Sequence, residues 1–198
     1  IKKYGGMGIK TAVISTINGD ANVPFYKELA NQEVSSEEIP VIAFSVGEQE
    51  LSGIDTGPLV GHLAAWNYFQ SVETENNAKF IRAWRKFTGN PDAVTNDPME
   101  ATLIGFNMWA KAVQKAGTTD VQAVEEAMLG ITHDNLTGGL AIMNKNHHLS
   151  KPVFIGEIQD DGQIEVVWET DTLVSGDAWS DFLPNSKDLI ADWSKPLR

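Results

Sequence analysis

Short apolar segments alternate with helical ones over the first third of the chain. Residues 15–29 (STINGDANVPFYKEL) pass from a β-branched run through Asn-Gly-Asp into a helical pattern. Strands are predicted at 10–17, 40–45 and 60–69, with helices at 23–30 and 48–54 between them. An order of strand, helix, strand, helix, strand is typical of an α/β fold with a parallel sheet.

The middle of the chain predicts three consecutive helices, at 75–88, 97–116 and 120–129, which end at Gly89, Gly117 and Gly130. Each of the first two has an apolar stripe. The stripes comprise Phe80, Ile81, Trp84 and Phe87 on the first helix, and Met99, Leu103, Phe106, Ala110 and Val113 on the second. Three helices without an intervening strand indicate a different structural layer or lobe.

Side chains that accept hydrogen bonds mark the expected helix starts. Asn22, Asp97 and Asp120 are the predicted N-caps, and Glu100 follows Asp97 by three residues, as in a capping box. Further along, two alternating runs within 153–169 surround Asp-Asp-Gly and predict a β-hairpin.

Composition narrows the classes of function. The formal net charge of −12 disfavours nucleic acid and anionic lipid as partners. The chain has no cysteine, and no apolar run reaches the roughly 18 residues of a membrane span. It begins Ile-Lys-Lys-Tyr without a leader pattern, so we expect either a processed protein or part of a longer one.

Residues for catalysis or metal binding do not form a known pattern. The adjacent His147 and His148 would point to opposite faces of a strand, and His62 and His133 lie far from them in sequence. We find no nucleophile elbow, phosphate-binding loop or nucleophile–base pair. The sequence therefore predicts neither an enzyme nor a bound cofactor or metal.

Polar residues follow the first two predicted strands. Because ligands bind beyond the carboxyl ends of parallel strands, these residues are candidates for a binding site. Thr16 and Ser45 offer hydroxyls, Asp20 and Glu48 offer acceptors, and Asn18 offers both a donor and an acceptor. The alternative interpretation of Asn-Gly-Asp is an ordinary turn.

Several longer segments resemble one protein family. They are STINGDANVPFYKEL, PVIAFSVGEQEL, GHLAAWNYFQSV, TNDPMEA, NHHLSKPVFIGEIQDDGQIEVVWE and the Trp-rich tail. Together they resemble the urea-binding proteins of ABC importers, which are type I periplasmic binding proteins for urea and short-chain amides.

The resemblance implies an α/β fold of two Rossmann-like lobes joined by a hinge, of which this chain is the C-terminal half. Residues 1–66 and 147–180 would form the second lobe. Residues 67–146 would be the helical part of the first lobe, and 181–198 a C-terminal tail. The N-terminal half of the same protein would complete the first lobe.

The resemblance also implies a function and a site. The protein would be periplasmic, would bind urea or a short amide between the lobes, and would deliver it to a membrane permease without inserting into the membrane. The implied ligand-binding residues are Thr16, Ile17, Asn18, Gly19 and Asp20, with Ser45 and Glu48 by position and Trp66 and Tyr68 on the hinge side.

Four alternatives stay open. The first two are a branched-chain amino-acid binding protein and an amide-sensing receptor or regulator of the same fold. The third is an amidohydrolase, for which the sequence offers no nucleophile or metal set. The fourth is a half-chain that folds alone or dimerises through the apolar helix faces of Phe80/Trp84 and Leu103/Phe106.

Overall fold

A computed structural model describes residues 1–5, 7–177, 179, 182 and 185–188. Its helices are α1 (Lys2–Gly5), α2 (Asn22–Asn31), α3 (Glu48–Leu51), α4 (Glu75–Thr88), α5 (Asp97–Ala116) and α6 (Val121–Met128). Its strands are β1 (Val13–Ser15), β2 (Val41–Ala43), β3 (Leu63–Trp66), β4 (Thr132–Asp134), β5 (Leu140–Met143), β6 (Leu149–Ser150), β7 (Phe154–Ile158) and β8 (Ile164–Glu169).

A five-stranded sheet has the order β1-β2-β3-β7-β8. Strands β1, β2 and β3 are parallel, with Val13 opposite Val41 and Ala43 opposite Ala64, so the parallel α/β prediction is confirmed for them. The predicted hairpin is also confirmed: β7 and β8 pair with each other, and β7 runs antiparallel to β3. We call this sheet, together with α2 and α3, the sheet region.

The main hydrophobic core lies on one face of this sheet. Strand residues such as Val41 and Ala43 pack with Tyr26 and Leu29 of α2. Burial of these apolar side chains provides most of the local stability. The other face is less covered, since Ile14 is 60% exposed.

Helices α4 to α6 and the antiparallel sheet β4-β5-β6 form what we call the helical region. Ile104 and Met108 of α5 pack against Ala141 and Met143 of β5 in a second hydrophobic cluster. The predicted bounds of α4 are confirmed, with Thr74 as N-cap and Gly89 in the left-handed conformation as C-cap.

Two predicted N-caps are wrong. Asn96, not Asp97, caps α5, because its side chain accepts the Met99 N–H at 3.1 Å. Asn22 is the first residue of α2 and its side chain makes no cap hydrogen bond, since it turns back toward other loops. The predicted cap at Asp120 is confirmed, as its carboxylate accepts the Ala123 N–H.

The predicted apolar stripe of α5 is not the face that this helix buries. The buried residues of that helix are Glu100, Ile104, Met108 and Ala112. The stripe of Met99, Leu103 and Phe106 instead faces an open apolar groove of about 570 Å³, which Phe80 and Trp84 of α4 also line. A long helix with two apolar faces can bury only the face for which this chain supplies a partner.

A buried ion pair links α5 to the segment between β6 and β7. Lys151, between β6 and β7, pairs with Glu100 of α5, and both side chains are buried. Burial raises the pKa of Glu100 to about 7, even though the Lys151 ammonium lowers it.

In the described part of the chain, none of the helices is both long and apolar enough to cross a bilayer. The tail prediction for 181–198 falls mostly outside the described residues. The division into two lobes stays a prediction.

Candidate functional site

The loop after β1 carries five of the predicted site residues. Residues 16–20 follow the carboxyl end of β1, and Thr16, Asn18, Gly19 and Asp20 are exposed while Ile17 is half-buried. Gly19 has φ of +59°, a left-handed conformation that most residues adopt only with strain. The turn therefore holds the Asp20 carboxylate in solvent at the edge of the sheet.

The side chain of Asn22 holds this loop in place. Its fully buried amide Nδ2 lies 3.1 Å from Ile17 O, 3.2 Å from Gly19 O and 2.9 Å from Ser45 O. One side chain thus gathers the carbonyl groups of the loops that follow β1 and β2. The helix prediction missed this role, because Asn22 by itself resembles a cap and its partner Ser45 lies far away in sequence.

Trp66 packs behind the second loop. A Cβ atom on Gly47 would lie 2.8 Å from Trp66 Cζ3, so only glycine fits at position 47. This close contact places Trp66, the last residue of β3, beside the Ser45 loop. The structure thus brings Trp66 against Gly47, two residues after Ser45, and its ring also contacts the main core.

Glu48 is the first residue of α3 and its side chain is only 1% exposed. Its Oε1 accepts the Gln70 N–H at 2.7 Å, while Oε2 has no hydrogen-bond partner in the described part of the chain. Burial raises the pKa of this carboxyl to about 7, although hydrogen bonds from backbone groups oppose the change. A buried oxygen without a partner can accept a hydrogen bond from a bound molecule.

No residue of the loop 16–20 lines the cavity at Glu48. This open, polar cavity of about 480 Å³ has walls from 51–56, Arg85, 160–163 and the segment before α5. The structure therefore brings the predicted residues together as two neighbouring groups. One is the loop pair of 16–20 and Ser45, and the other surrounds Glu48.

Tyr68 is fully buried and its hydroxyl is already engaged. It donates to Asn77 Oδ1 at 2.6 Å and lies 2.7 Å from Thr95 Oγ1. Burial also raises its pKa. The structure does not bring Tyr68 together with the exposed loops, and its hydroxyl holds the start of α4 against the segment before α5.

The arrangement suits hydrogen bonding of a small polar molecule. Carboxylates, a hydroxyl and backbone carbonyls supply acceptors, and the Asn18 amide supplies donors. Within the described residues, we find no group of three or more His, Asp or Glu side chains placed to hold a metal ion.

A model of the periplasmic binding protein domain matches residues 1–185. The chain belongs to this family. Its five-stranded sheet and helical region have the type I periplasmic binding protein fold, in agreement with the fold prediction.

Two curated proteins are similar in sequence to this binding-protein chain. One is the Leu/Ile/Val-binding protein homolog 6 of Brucella melitensis, 25% identical over 82% of this chain and 42% of the relative. The other is named limonene hydroxylase, from Geobacillus stearothermophilus, and is 32% identical over 56% of this chain and 20% of the relative.

Solved structures share the fold at low sequence identity. The solute-binding protein of an ABC transporter from Rhodopseudomonas palustris BisB5, in complex with 3,4-dihydroxybenzoic acid, has a TM-score of 0.75 at 16% identity. The match covers 87% of this chain and 48% of that one. The chain thus spans less than half the length of the relatives it matches.

Proposed function

We propose that the chain is part of the solute-binding component of an ABC importer, which delivers a small polar molecule to a membrane permease from the periplasm and catalyses no reaction. The observation that carries this proposal is the pair of loops gathered by Asn22 at the carboxyl ends of β1 and β2. Parallel α/β sheets bind ligands at this edge.

Urea or a short-chain amide is the proposed ligand. Urea presents four N–H donors and one carbonyl, so its site needs several acceptors and one donor. Asp20 and the backbone carbonyls after β1 provide acceptors, and the Asn18 amide provides a donor. The second oxygen of Glu48 lines a separate cavity in this structure, so lobe closure would have to bring it to the same ligand. Lobe closure over the ligand would exclude water and strengthen each of these hydrogen bonds.

A branched-chain amino acid is the second candidate. The Brucella melitensis relative is named as a Leu/Ile/Val-binding protein, and a buried carboxylate such as Glu48 would also suit an α-ammonium group. The carboxylate of such an amino acid would need hydrogen-bond partners other than these residues.

The remainder of the protein would complete the first lobe and cover the apolar groove between α4 and α5. Phe106, which is 63% exposed, and Leu103 line this groove with Phe80 and Trp84. An apolar groove of this size is unusual on a free surface.

Titration calorimetry on the protein from the full reading frame tests the proposal. Urea, acetamide, leucine and 3,4-dihydroxybenzoate are injected in separate titrations. Heat with urea or acetamide alone supports the amide ligand, whereas heat with leucine alone replaces it with the amino-acid candidate. Heat with the aromatic acid alone would reject both ligand classes but keep the transport function.

A further inference from the structure

Every polar group of Gln70 makes a hydrogen bond, and together these bonds connect Glu48, the helical region and the β7–β8 hairpin. This residue lies in the segment that leads from β3 to α4 and is 7% exposed. Its backbone N–H donates to Glu48 Oε1 at 2.7 Å, and its backbone carbonyl accepts from Asn77 Nδ2 at 2.9 Å.

The Gln70 side chain bridges two further elements. Its Oε1 accepts the Thr95 N–H at 2.8 Å, in the segment just before α5. Its Nε2 donates to Gln163 Oε1 at 2.9 Å, in the turn of the β7–β8 hairpin. The side chain therefore spans from the helical region to the sheet region while the backbone holds Glu48.

We propose that Gln70 is the positioning residue of Glu48 and couples this carboxylate to the contact between the sheet region and the helical region. The part that concerns ligand binding rests on the proposed function, in which Glu48 contacts the ligand. The structural part, the control of Glu48 by Gln70, is independent of any ligand.

Three observations support this coupling. The Gln70 N–H is a direct donor to Glu48, so any shift of the segment changes the environment of the carboxylate. The amide can hold its place because both ends of the side chain are anchored. The second Glu48 oxygen has no partner in the described part of the chain, so the carboxyl is held mainly through backbone N–H groups, among them those of Gln70 and its neighbour Ser71.

A movement between the two regions would disrupt this network. Thr95 and Gln163 bond to the same Gln70 carboxamide from different elements, so separating these elements breaks at least one of the two bonds and loosens the segment that carries the Gln70 N–H. Conversely, a ligand that hydrogen-bonds to Glu48 would favour the arrangement in which Gln70 keeps its hydrogen bonds to Thr95 and Gln163. The hydrogen bond between Gln70 and Glu48 thus links ligand binding to closure of the two regions.

The test is a carbon-13 NMR titration of the ligand-free protein from the full reading frame, labelled at glutamate carboxyl groups. The Glu48 signal is assigned by its loss in Glu48→Gln. In Gln70→Ala, the amide is no longer anchored and donates less well, so we expect the pKa of Glu48 to rise by about one unit. Glu50, Tyr68 and the backbone N–H of Ser71 also interact with this carboxylate and are present in both proteins.

Two further variants separate positioning from general destabilisation. Gln163→Ala removes one anchor from the hairpin side, with less disturbance of the interior, and should shift the pKa in the same direction by a smaller amount. Gln159→Ala is the matched control, because this glutamine donates to Glu157 O within its own hairpin at 3.1 Å. The control should leave the pKa of Glu48 unchanged.

An unchanged pKa in both Gln70→Ala and Gln163→Ala would overturn the proposal, as would an equal shift in Gln159→Ala. Calorimetry with urea, acetamide and leucine then tests the ligand part, where Gln70→Ala should weaken whichever probe binds by about tenfold. Wild-type affinity in Gln70→Ala would reject the coupling to the ligand. If none of urea, acetamide and leucine binds the wild type, both proposed ligand classes fail, while the titration still decides the role of Gln70.

Discussion

Asn22 Nδ2 lies 2.9 Å from the carbonyl oxygen of Ser45, 23 residues further along the chain. The same amide group also lies within hydrogen-bond distance of Ile17 O and Gly19 O. The shape of the candidate site therefore depends on a side chain that need not touch the ligand.

Replacing Asn22 with alanine should loosen both loops. The variant leaves three carbonyl groups without this donor, and we expect a loss of about 1 to 3 kcal/mol in the free energy of unfolding together with weaker ligand binding. Guanidinium unfolding and calorimetry measure the two effects. Asn31→Ala, at the exposed end of the same helix, is the control. Equal stability of the two variants would contradict the role of Asn22.

Asp20→Ala should affect binding more than folding. The carboxylate is exposed, so its removal should barely change the melting temperature of the ligand-free protein. Loss of a charged acceptor should weaken the affinity for urea or acetamide by roughly 10- to 100-fold. Glu37→Ala removes an exposed carboxylate before β2, at the opposite edge of the sheet, and should bind normally. An Asp20→Ala variant with wild-type affinity would remove Asp20 from the site.

Glu48 should make stability depend on pH between about 4.5 and 7. Burial raises its pKa to about 7 in the folded protein, so in this interval the folded state retains a proton that the unfolded state has released. The contribution of Glu48 to the free energy of unfolding is therefore fully present below its pKa in the unfolded chain and is lost as the pH rises through 7. Relative to wild type, Glu48→Gln should gain roughly 1 to 3 kcal/mol in stability between pH 4.5 and 8.

Unfolding of both proteins at several pH values measures this difference. Burial also raises the pKa of Glu100, which is present in both proteins, so we expect its contribution to cancel in the comparison. A difference between wild type and Glu48→Gln that stays constant with pH would show that the Glu48 carboxyl titrates normally.

Local sequence signals predicted most elements but not the contacts between them. The start of α4 and its end at Gly89 follow from residues within one turn of each boundary, and the β7–β8 hairpin follows from Asp-Asp-Gly. The cap of α5 was misplaced by one residue because Asn96 and Asp97 are both good caps.

From the sequence, the candidate site could be predicted only by position along the chain. Residues 16–20 and Ser45 are candidates because they follow strands. The roles of Asn22 and Gln70 arise from partners at 45, 95 and 163, which no local pattern connects. Burial of Tyr68 also depends on packing between α4 and the segment before α5, so its hydroxyl could not be assigned from sequence.

The buried pair of Glu100 and Lys151 should cost stability when only one partner is removed. Lys151→Met leaves the Glu100 carboxylate buried without its ammonium partner, and we expect a loss of about 3 to 5 kcal/mol at pH 8. The loss should be smaller at pH 5, because burial favours the protonated form of Glu100. Guanidinium unfolding is the suitable measurement, since urea is a proposed ligand.

A double variant and a surface pair provide the controls. Glu100→Leu combined with Lys151→Met removes both charges, so most of the lost stability should return. Lys79→Met breaks the exposed pair with Glu75 (2.8 Å) and should have little effect, because solvent screens that interaction. If Lys151→Met proved as mild as Lys79→Met, the link between β6–β7 and α5 would not depend on this ion pair, and Gln70 with its neighbours would carry more of the contact between the two regions.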